Sequence, residues 1–565
     1  ALARLLLRRA PGLPATYGQA PRGRGYLQVD ERERGVHGGG SGLSMSESLG
    51  FMQEPDADWA WRKWLHAVEM SRQQPACFES IRRRKLPAPN MAWQDCFDPT
   101  FHCAMERRLG KRGDGGKWLC DPSRIAQQVR LGRPCIVYSV GSRGDYTFES
   151  NVLAHVSPSC EVHTFDRGPW SDYVREPPPK GVSYHVRTIG PGGASNSTPM
   201  TDIVRSLGHA HSTIDLYKVD CDKCELAMEP SLLFPPDADI RQILIELHPT
   251  KWNQLQAAAR LFKYLFDLGY VVFHWEANYY NSQLAEFAFL KLSKAFSHAA
   301  IDRPPPFSPA SHEQSLSQRE SFGLIRDTDA QWATRKQILV QDRLLTVLGA
   351  GKSHRQFWGQ NAEPTFNCAF KRPIGELGRR HMWVCDPHQI ARKVQERGTC
   401  IVYSIGSFFL GGSFEDRVRS DISPACEMHA LHALPWTGYD TKVMESHNYN
   451  VADRYNETPM ASIVERLGHR GRAIDILKVD CAGCEWATFR SWFGGGVDIR
   501  QIVVLVEGRP EDGLVQAFFQ VFHEMGYAIF SKVYLERGYH GARMKYSFLK
   551  LASNLSAPGA IPSAR

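Results

Sequence analysis

Along residues 57–300 short apolar runs alternate with amphipathic stretches, and the change of period between them predicts strands alternating with helices. The strand-like runs are Ile136–Val140, Glu161–Asp166, Val182–Val186, Ile214–Val219 and Gln242–Glu246. Helices are predicted at Thr147–His155, at Thr198–Leu207 with Thr198 as cap and Pro199 in the first turn, and at Trp252–Leu268. Tyr270–Trp275 and Glu286–Leu292 close the series as two more strands. This rhythm predicts an α/β domain whose mostly parallel, doubly wound sheet carries helices on both faces. Such sheets bind ligands beyond the carboxyl ends of their strands.

The pattern is written twice. KWLCDPSRIAQQVRLGRPCIVYS (Lys117–Ser139) returns as MWVCDPHQIARKVQERGTCIVYS (Met382–Ser404), and Thr198–Glu225 returns as Thr458–Glu485. A repeat this long is a whole domain, so tandem domains are expected at 57–300 and 328–553. Between them, 301–327 reads as a stiff Pro/Ser-rich linker with Pro304, Pro305, Pro306 and Pro309. Residues 1–56 begin with arginines (Arg4, Arg8, Arg9, Arg22, Arg24) and no acid before Asp30, which reads as a disordered or targeting-like segment, weakly of the organelle type. Residues 554–565 read as a tail.

Composition adds bounds rather than direction. The chain is 42% hydrophobic and 23% charged with mean hydropathy −0.36, and no apolar run of about 18 residues predicts a membrane span. A net charge of +8 over 565 residues, with no basic stripe interleaved with aromatics, gives no strong nucleic-acid signal and makes RNA the lesser acceptor. Twelve of the fourteen cysteines fall into copy-related pairs: Cys103/Cys368, Cys120/Cys385, Cys135/Cys400, Cys160/Cys426, Cys221/Cys481 and Cys224/Cys484. Cys135 and Cys400 open core strands, where a thiol behaves as a small hydrophobe, so reduced cysteines are expected.

The candidate chemistry gathers at strand ends. Cys135–Glu149 (CIVYSVGSRGDYTFE) runs from a strand into a turn where Gly141, Ser142 and Gly144 leave the backbone bare before a helix N-terminus, a nucleotide-type half-site. Asp166 ends the second strand, where a carboxylate accepts the hydroxyls of a ribose. Asp220 ends the fourth strand, with Glu225 at the start of the next helix, and Glu246 and His248 end the fifth. These groups are candidate proton acceptors; as ligands for a divalent metal they are possible but not favoured. CDKC (Cys221–Cys224) and CAGC (Cys481–Cys484) give one pair per domain against the four ligands of a structural zinc, so packing is preferred over zinc or redox chemistry.

IDLYKVDCDKCE and its copy IDILKVDCAGCEW resemble the IDLLKIDVEGAE signature of FkbM-type class I S-adenosylmethionine-dependent methyltransferases. The ordered set VYSVGS, CEVHTFD, LGH with IDLYKVD, and QILIELH is most similar to the methyltransferase-like protein 24 family, over roughly residues 92–292 and again 365–551. The resemblance implies two tandem Rossmann-like sheets, each closed by an antiparallel terminal hairpin. It puts S-adenosyl-L-methionine over Gly141–Gly144, its ribose on Asp166, Asp220 at the methionine end or acceptor, and Glu225 in support. GSRG departs from the GxGxG that many such enzymes carry. The activity implied is methyl transfer, to oxygen, on a small-molecule, glycan or peptide acceptor.

The second copy departs where the ligand would sit. His432 stands opposite Asp166, the turn gains a residue and Phe408, Phe409 and Leu410, and QILIELHP becomes QIVVLVEGRP, which keeps an acid as Glu507 and loses the histidine. Asp480 and Glu485 remain. The first domain is expected to be active and the second degenerate; a non-catalytic tandem scaffold is the alternative.

Overall fold

The computed structural model describes residues 42–552 apart from 84–92, 94–95, 113–114, 175, 194–196, 250, 279–280, 282, 298–302, 306–314, 346–353, 377–380, 407–412, 433–444, 449–457, 482, 509 and 539–540. Central strands such as IVYSV carry no polar alternation because helices cover both faces of the sheet, and every residue of that strand is buried. In the first domain β1 (Ile136–Val140), β2 (Glu161–Asp166), β3 (Val182–Val186), β4 (Thr213–Val219), β5 (Asp239–Leu247), β6 (Tyr270–Ala277) and β7 (Ala285–Lys291) form one sheet in the order β6-β7-β5-β4-β1-β2-β3. Strands β1 to β5 are parallel, and β7 runs antiparallel between β5 and β6. The second domain repeats this with β8 (Ile401–Ile405), β9 (Glu427–His432), β10 (Glu445–Asn448), β11 (Ala473–Val479), β12 (Asp498–Glu507), β13 (Tyr527–Gly538) and β14 (Gly541–Lys550), ordered β10-β9-β8-β11-β12-β14-β13. The expected α/β, doubly wound, Rossmann-like architecture is present in both copies. The chain reverses direction across the sheet at β1, whose neighbours are β2 and β4.

Helix Trp252–Asp267 packs Leu255, Ala258, Leu261, Phe262 and Leu265 onto the sheet, a spacing of three and four residues that makes one apolar face. The helix expected from Thr198 starts at Met200 instead, with Pro199 in the cap position. Thr198 pairs with Ile189 in a short two-stranded ladder, which competes with capping for its backbone.

Two segments set aside on sequence are folded. Within 42–56, helix Leu43–Glu47 is followed by Phe51 and Met52, both 4% exposed. Within 301–327, helix Leu316–Glu320 is followed by the equally buried Leu324 and Ile325. The two are copies: Glu47 accepts from Trp59 Nε1 (2.6 Å) and Lys63 (2.8 Å), while Glu320 accepts from Trp332 Nε1 and Lys336 (3.1 Å). Ser293 N–H donates to Glu47 O and Ala552 N–H to Glu320 O, tying each segment to the end of its own domain.

The expectation of reduced thiols is overturned, because all fourteen cysteines pair within their own domains. The bridges are Cys77–Cys96, Cys103–Cys120, Cys135–Cys160 and Cys221–Cys224, then Cys368–Cys385, Cys400–Cys426 and Cys481–Cys484. Cys135 and Cys160 immediately precede β1 and β2, so pairing of those parallel strands brings their Cα atoms to 4.6 Å. Bridging distance is set by the sheet and not by sequence spacing.

The domains meet through equivalent surfaces. Arg326 bridges Asp58 (2.5 Å) and Asp386 (3.2 Å), and at the related positions Gln331 donates to Gln53 O (3.0 Å). A void of about 50 Å³ lies between them, lined by matched residues such as Met52 and Ile325, and Ala104 and Ala369. Arg62 donates to His102 O in its own domain (2.7 Å) and to Ala369 O in the other (3.0 Å), and Asn367 to Glu106 O (3.3 Å).

Candidate functional site

Beyond the carboxyl ends of β1, β2, β4 and β5 a cavity of about 630 Å³ opens at the switch in strand order. Gly141, Ser142, Asp166, Asp220, Glu246 and His248 line it, together with Arg143, Cys221, Asn278 and, from the second domain, Gln360.

Gly141 has φ +79°, and a Cβ there would overlap the Asp220 carbonyl oxygen. Its bare backbone serves the close approach of β1 to β4, a reason the sequence reading did not find; Gly406 does the same against Asp480 in the second domain. Gly144 also has φ +79°, and its Cα faces Val174 and Tyr173 rather than lining the cavity. Between them Arg143 holds the left-handed φ of +48°, and its N–H donates to Asp166 Oδ2 (2.9 Å) beside Ser142 Oγ (3.1 Å). Asp166 therefore clamps the turn through one oxygen, and Oδ1 has no hydrogen-bond partner among the described residues. Burial pushes this carboxyl up, against the pull of the Arg143 and Ser142 hydrogen bonds.

The cavity floor is a buried charge cluster. Lys117 Nζ, 2% exposed, meets both oxygens of Glu286 (2.5 and 2.6 Å), Asp220 Oδ2 (3.3 Å) and Glu246 Oε2 (3.9 Å), and Asn278 donates to Glu246 Oε1 (2.9 Å). Burial would discharge Lys117, but the charges of Asp220, Glu286 and Glu246 hold its pKa well above the usual lysine range. Burial raises Glu246 and, further, Glu286, while Lys117, Lys218 and His248 overcome burial at Asp220 and keep it low. Asp220 is thus the acid of the three that ionises most readily, with Glu246 and Glu286 held higher behind it.

His248 completes the site. Its backbone N–H (2.9 Å) and Nδ1 (2.8 Å) both reach Glu225 Oε1, and Nε2 lies 4.0 Å from Asp220 Oδ1 and Glu246 Oε2. Burial would lower its pKa, but the Glu225 hydrogen bond and charge, with Glu246 and Asp220, raise it to about 9. Glu225 is 2% exposed and does not line the cavity; its other oxygen accepts Lys223 N–H (3.0 Å) in a loop closed by the Cys221–Cys224 bridge. The CDKC cysteines are spent in that bridge, so neither is a zinc ligand.

Sequence reasoning missed Lys117, Glu286 and Asn278. Comparing the copies exposes the first two, since Met382 and Lys545 stand in their places in the second domain. There Leu505 replaces Glu246 and Glu507 replaces His248, its N–H donating to Glu485 Oε1 (2.7 Å) as His248 N–H does to Glu225. Lys545 turns to His381 O (2.6 Å). Phe408, Phe409 and Leu410 lie outside the described residues, and His432 ends β9.

S-adenosylmethionine is the group implied for this cavity, and the residues present fit it: a carboxylate oxygen without a partner among the described residues at the tip of β2, and room for a nucleoside and an amino-acid tail. A methyltransferase domain family, Methyltransf_22, matches residues 42–291 and again 315–550. Among solved structures, TrmK of M. capricolum with S-adenosylhomocysteine is 10% identical over 30% of this chain and 71% of its own (TM-score 0.20). The METTL16 methyltransferase domain is 9% identical over 30% and 66% (TM-score 0.19), and the 1,6-didemethyltoxoflavin-N1-methyltransferase of Burkholderia thailandensis 8% over 29% and 77% (TM-score 0.17). No curated protein matches. With a family match over most of its length, the chain belongs to the methyltransferase domain family, in two tandem copies.

Proposed function

We propose that the first domain transfers a methyl group from S-adenosylmethionine to a hydroxyl oxygen, and that the protein is of the FkbM-like, methyltransferase-like protein 24 type suggested by IDLYKVD. The observation that carries this is the His248–Glu225 pair at the cavity, an imidazole whose Nδ1 is held by a buried carboxylate while Nε2 lies by Asp220. The bound cofactor supplies an electrophilic methyl group already activated on sulfur. Asp166 and Ser142 would hold its nucleoside, and Gly141 keeps the ends of β1 and β4 together. His248 Nε2 takes the proton of the acceptor hydroxyl, and Glu225 positions the ring and raises its basicity. Asp220, anchored by Lys117, stabilises the imidazolium that results. The acceptor is a small molecule, glycan or peptide. The second domain, lacking counterparts of Lys117, Glu246, His248 and Glu286, is a degenerate partner that contributes Gln360 to the cavity wall. Seven disulfides fit folding in an oxidising compartment.

Calorimetric titration of the full chain with S-adenosylmethionine tests the assignment. One site, lost in Asp166→Ala, is expected; two equal sites would refute the division of labour, and no site would select a non-catalytic scaffold.

A further inference from the structure

At the amino ends of the strands, across the sheet from the cavity, each domain carries a second cluster that methyl transfer does not use. In the first domain Glu161 opens β2, His163 lies two residues on, and His209 sits in the loop that leads into β4. One donor atom from each lies within 4.8 Å of the other two. Glu161 Oε1 is 2.8 Å from His163 Nε2 and 3.3 Å from His209 Nε2. Two ligands at about 2.0–2.1 Å from a tetrahedral zinc stand about 3.3 Å apart, so little movement separates these contacts from coordination.

The far side of each imidazole is fixed as well. His163 Nδ1 meets His185 Nε2 at 2.9 Å, and His209 Nδ1 meets the Tyr138 hydroxyl at 2.7 Å. An outer partner on the non-ligating nitrogen is what sets the tautomer and aim of a metal-binding histidine. His163, His209 and Tyr138 are buried, at 5%, 8% and 0% exposure, while Glu161 reaches solvent and gives an ion a way in.

The second domain repeats the set although it has shed most of the first domain's cavity chemistry. Glu427, His429, His447, His469 and Tyr403 occupy the positions of Glu161, His163, His185, His209 and Tyr138. His469 Nε2 meets Glu427 Oε2 at 2.9 Å and its Nδ1 the Tyr403 hydroxyl at 2.7 Å, while His429 Nδ1 meets His447 Nε2 at 3.0 Å. His429 is 5% exposed, and its Nε2 is buried without a hydrogen-bond partner among the described residues, beside His469 and Glu427 in the same donor group. A buried imidazole nitrogen in that state is costly unless something binds it.

We propose that each domain binds a zinc ion through two histidines and a glutamate: His163, His209 and Glu161 in the first domain, His429, His469 and Glu427 in the second. Two neutral imidazoles and one carboxylate form a borderline-soft donor set that suits Zn²⁺ and leaves the fourth position to water. The second site is the weaker, because Arg472 already pairs with Glu427 (2.5 Å) where the first domain has Ser212.

The test uses the full chain, stripped with EDTA and titrated with zinc chloride against a chromophoric chelator. Two equivalents of unequal affinity are expected. His163→Ala removes the tighter one and His163→Ala/His429→Ala removes both. Tyr138→Phe keeps the packing, loses only the outer hydrogen bond, and weakens the first site about tenfold, which covers the case in which the alanine variants do not fold. Less than one equivalent bound by the parent chain, or an unchanged titration in Tyr138→Phe or in the folded double variant, overturns the proposal.

Discussion

Replacing Glu225 by glutamine removes one negative charge from a buried imidazole and leaves the side chain's shape. The His248 pKa stands at about 9 in the folded protein against 6.5 for the free side chain. That difference is worth about 3 kcal/mol of stability, present in full below pH 6.5 and lost as pH rises from there through 9. Burial works against the charged ring, so the raised value rests on its carboxylates, first among them Glu225 at 2.8 Å. Glu225→Gln should therefore flatten the decline of stability between pH 6.5 and 9 by about 1–3 kcal/mol relative to the parent. A further loss, from an amide N–H set against Lys223 N–H, is independent of pH and drops out of the comparison of slopes. The assay is urea unfolding of both proteins at several pH values from 6 to 9.5, with m-values held equal. Parallel stability curves for the two proteins would refute the reasoning. The same substitution moves the alkaline rise of the methyl-transfer rate to lower pH if His248 Nε2 is the proton acceptor.

Lys117→Met should cost about 3–5 kcal/mol in denaturant unfolding, since Glu286, Glu246 and Asp220 lose their shared cation, and Lys117→Met/Glu286→Met should recover part of that. Gly141→Ala combines a left-handed φ with overlap on the Asp220 carbonyl and should lower stability by several times the roughly 1–2 kcal/mol expected for Gly208→Ala, whose φ is also positive but whose surroundings are open. Alkylation followed by mass spectrometry should find no free thiol in the unreduced chain and fourteen after reduction under denaturing conditions.

The buried parallel strands were legible because a strand covered on both faces has nothing polar to alternate with, and Asp166, Asp220, Glu246 and His248 were legible because they stand where such strands end. Lys117 and Glu286 were not. Lys117 lies in a short hairpin strand outside the main sheet, and Glu286 is set beside Glu246 only by the antiparallel register of β7 on β5. The linker hid a repeat of the first domain's entry segment, because LSMSESLGFMQE and LSQRESFGLIRD share Leu, Ser, Glu and Gly in order while proline dominates what precedes the second. The cysteines misled because matching them between copies says nothing of their partners within one copy; strand pairing decides that.

The matched contacts of Arg326 with Asp58 and of Gln331 with Gln53 have the form of a two-fold dimer interface drawn within one polypeptide. A chain built this way carries its partner with it, at an effective concentration no dilution lowers. Its second half can then lose catalytic residues one by one without losing the association, provided the residues at the seam stay. Substitutions tolerated at Leu505 or Lys545 would not be tolerated at Arg326, and the half without the reaction would be held by its fit to the other.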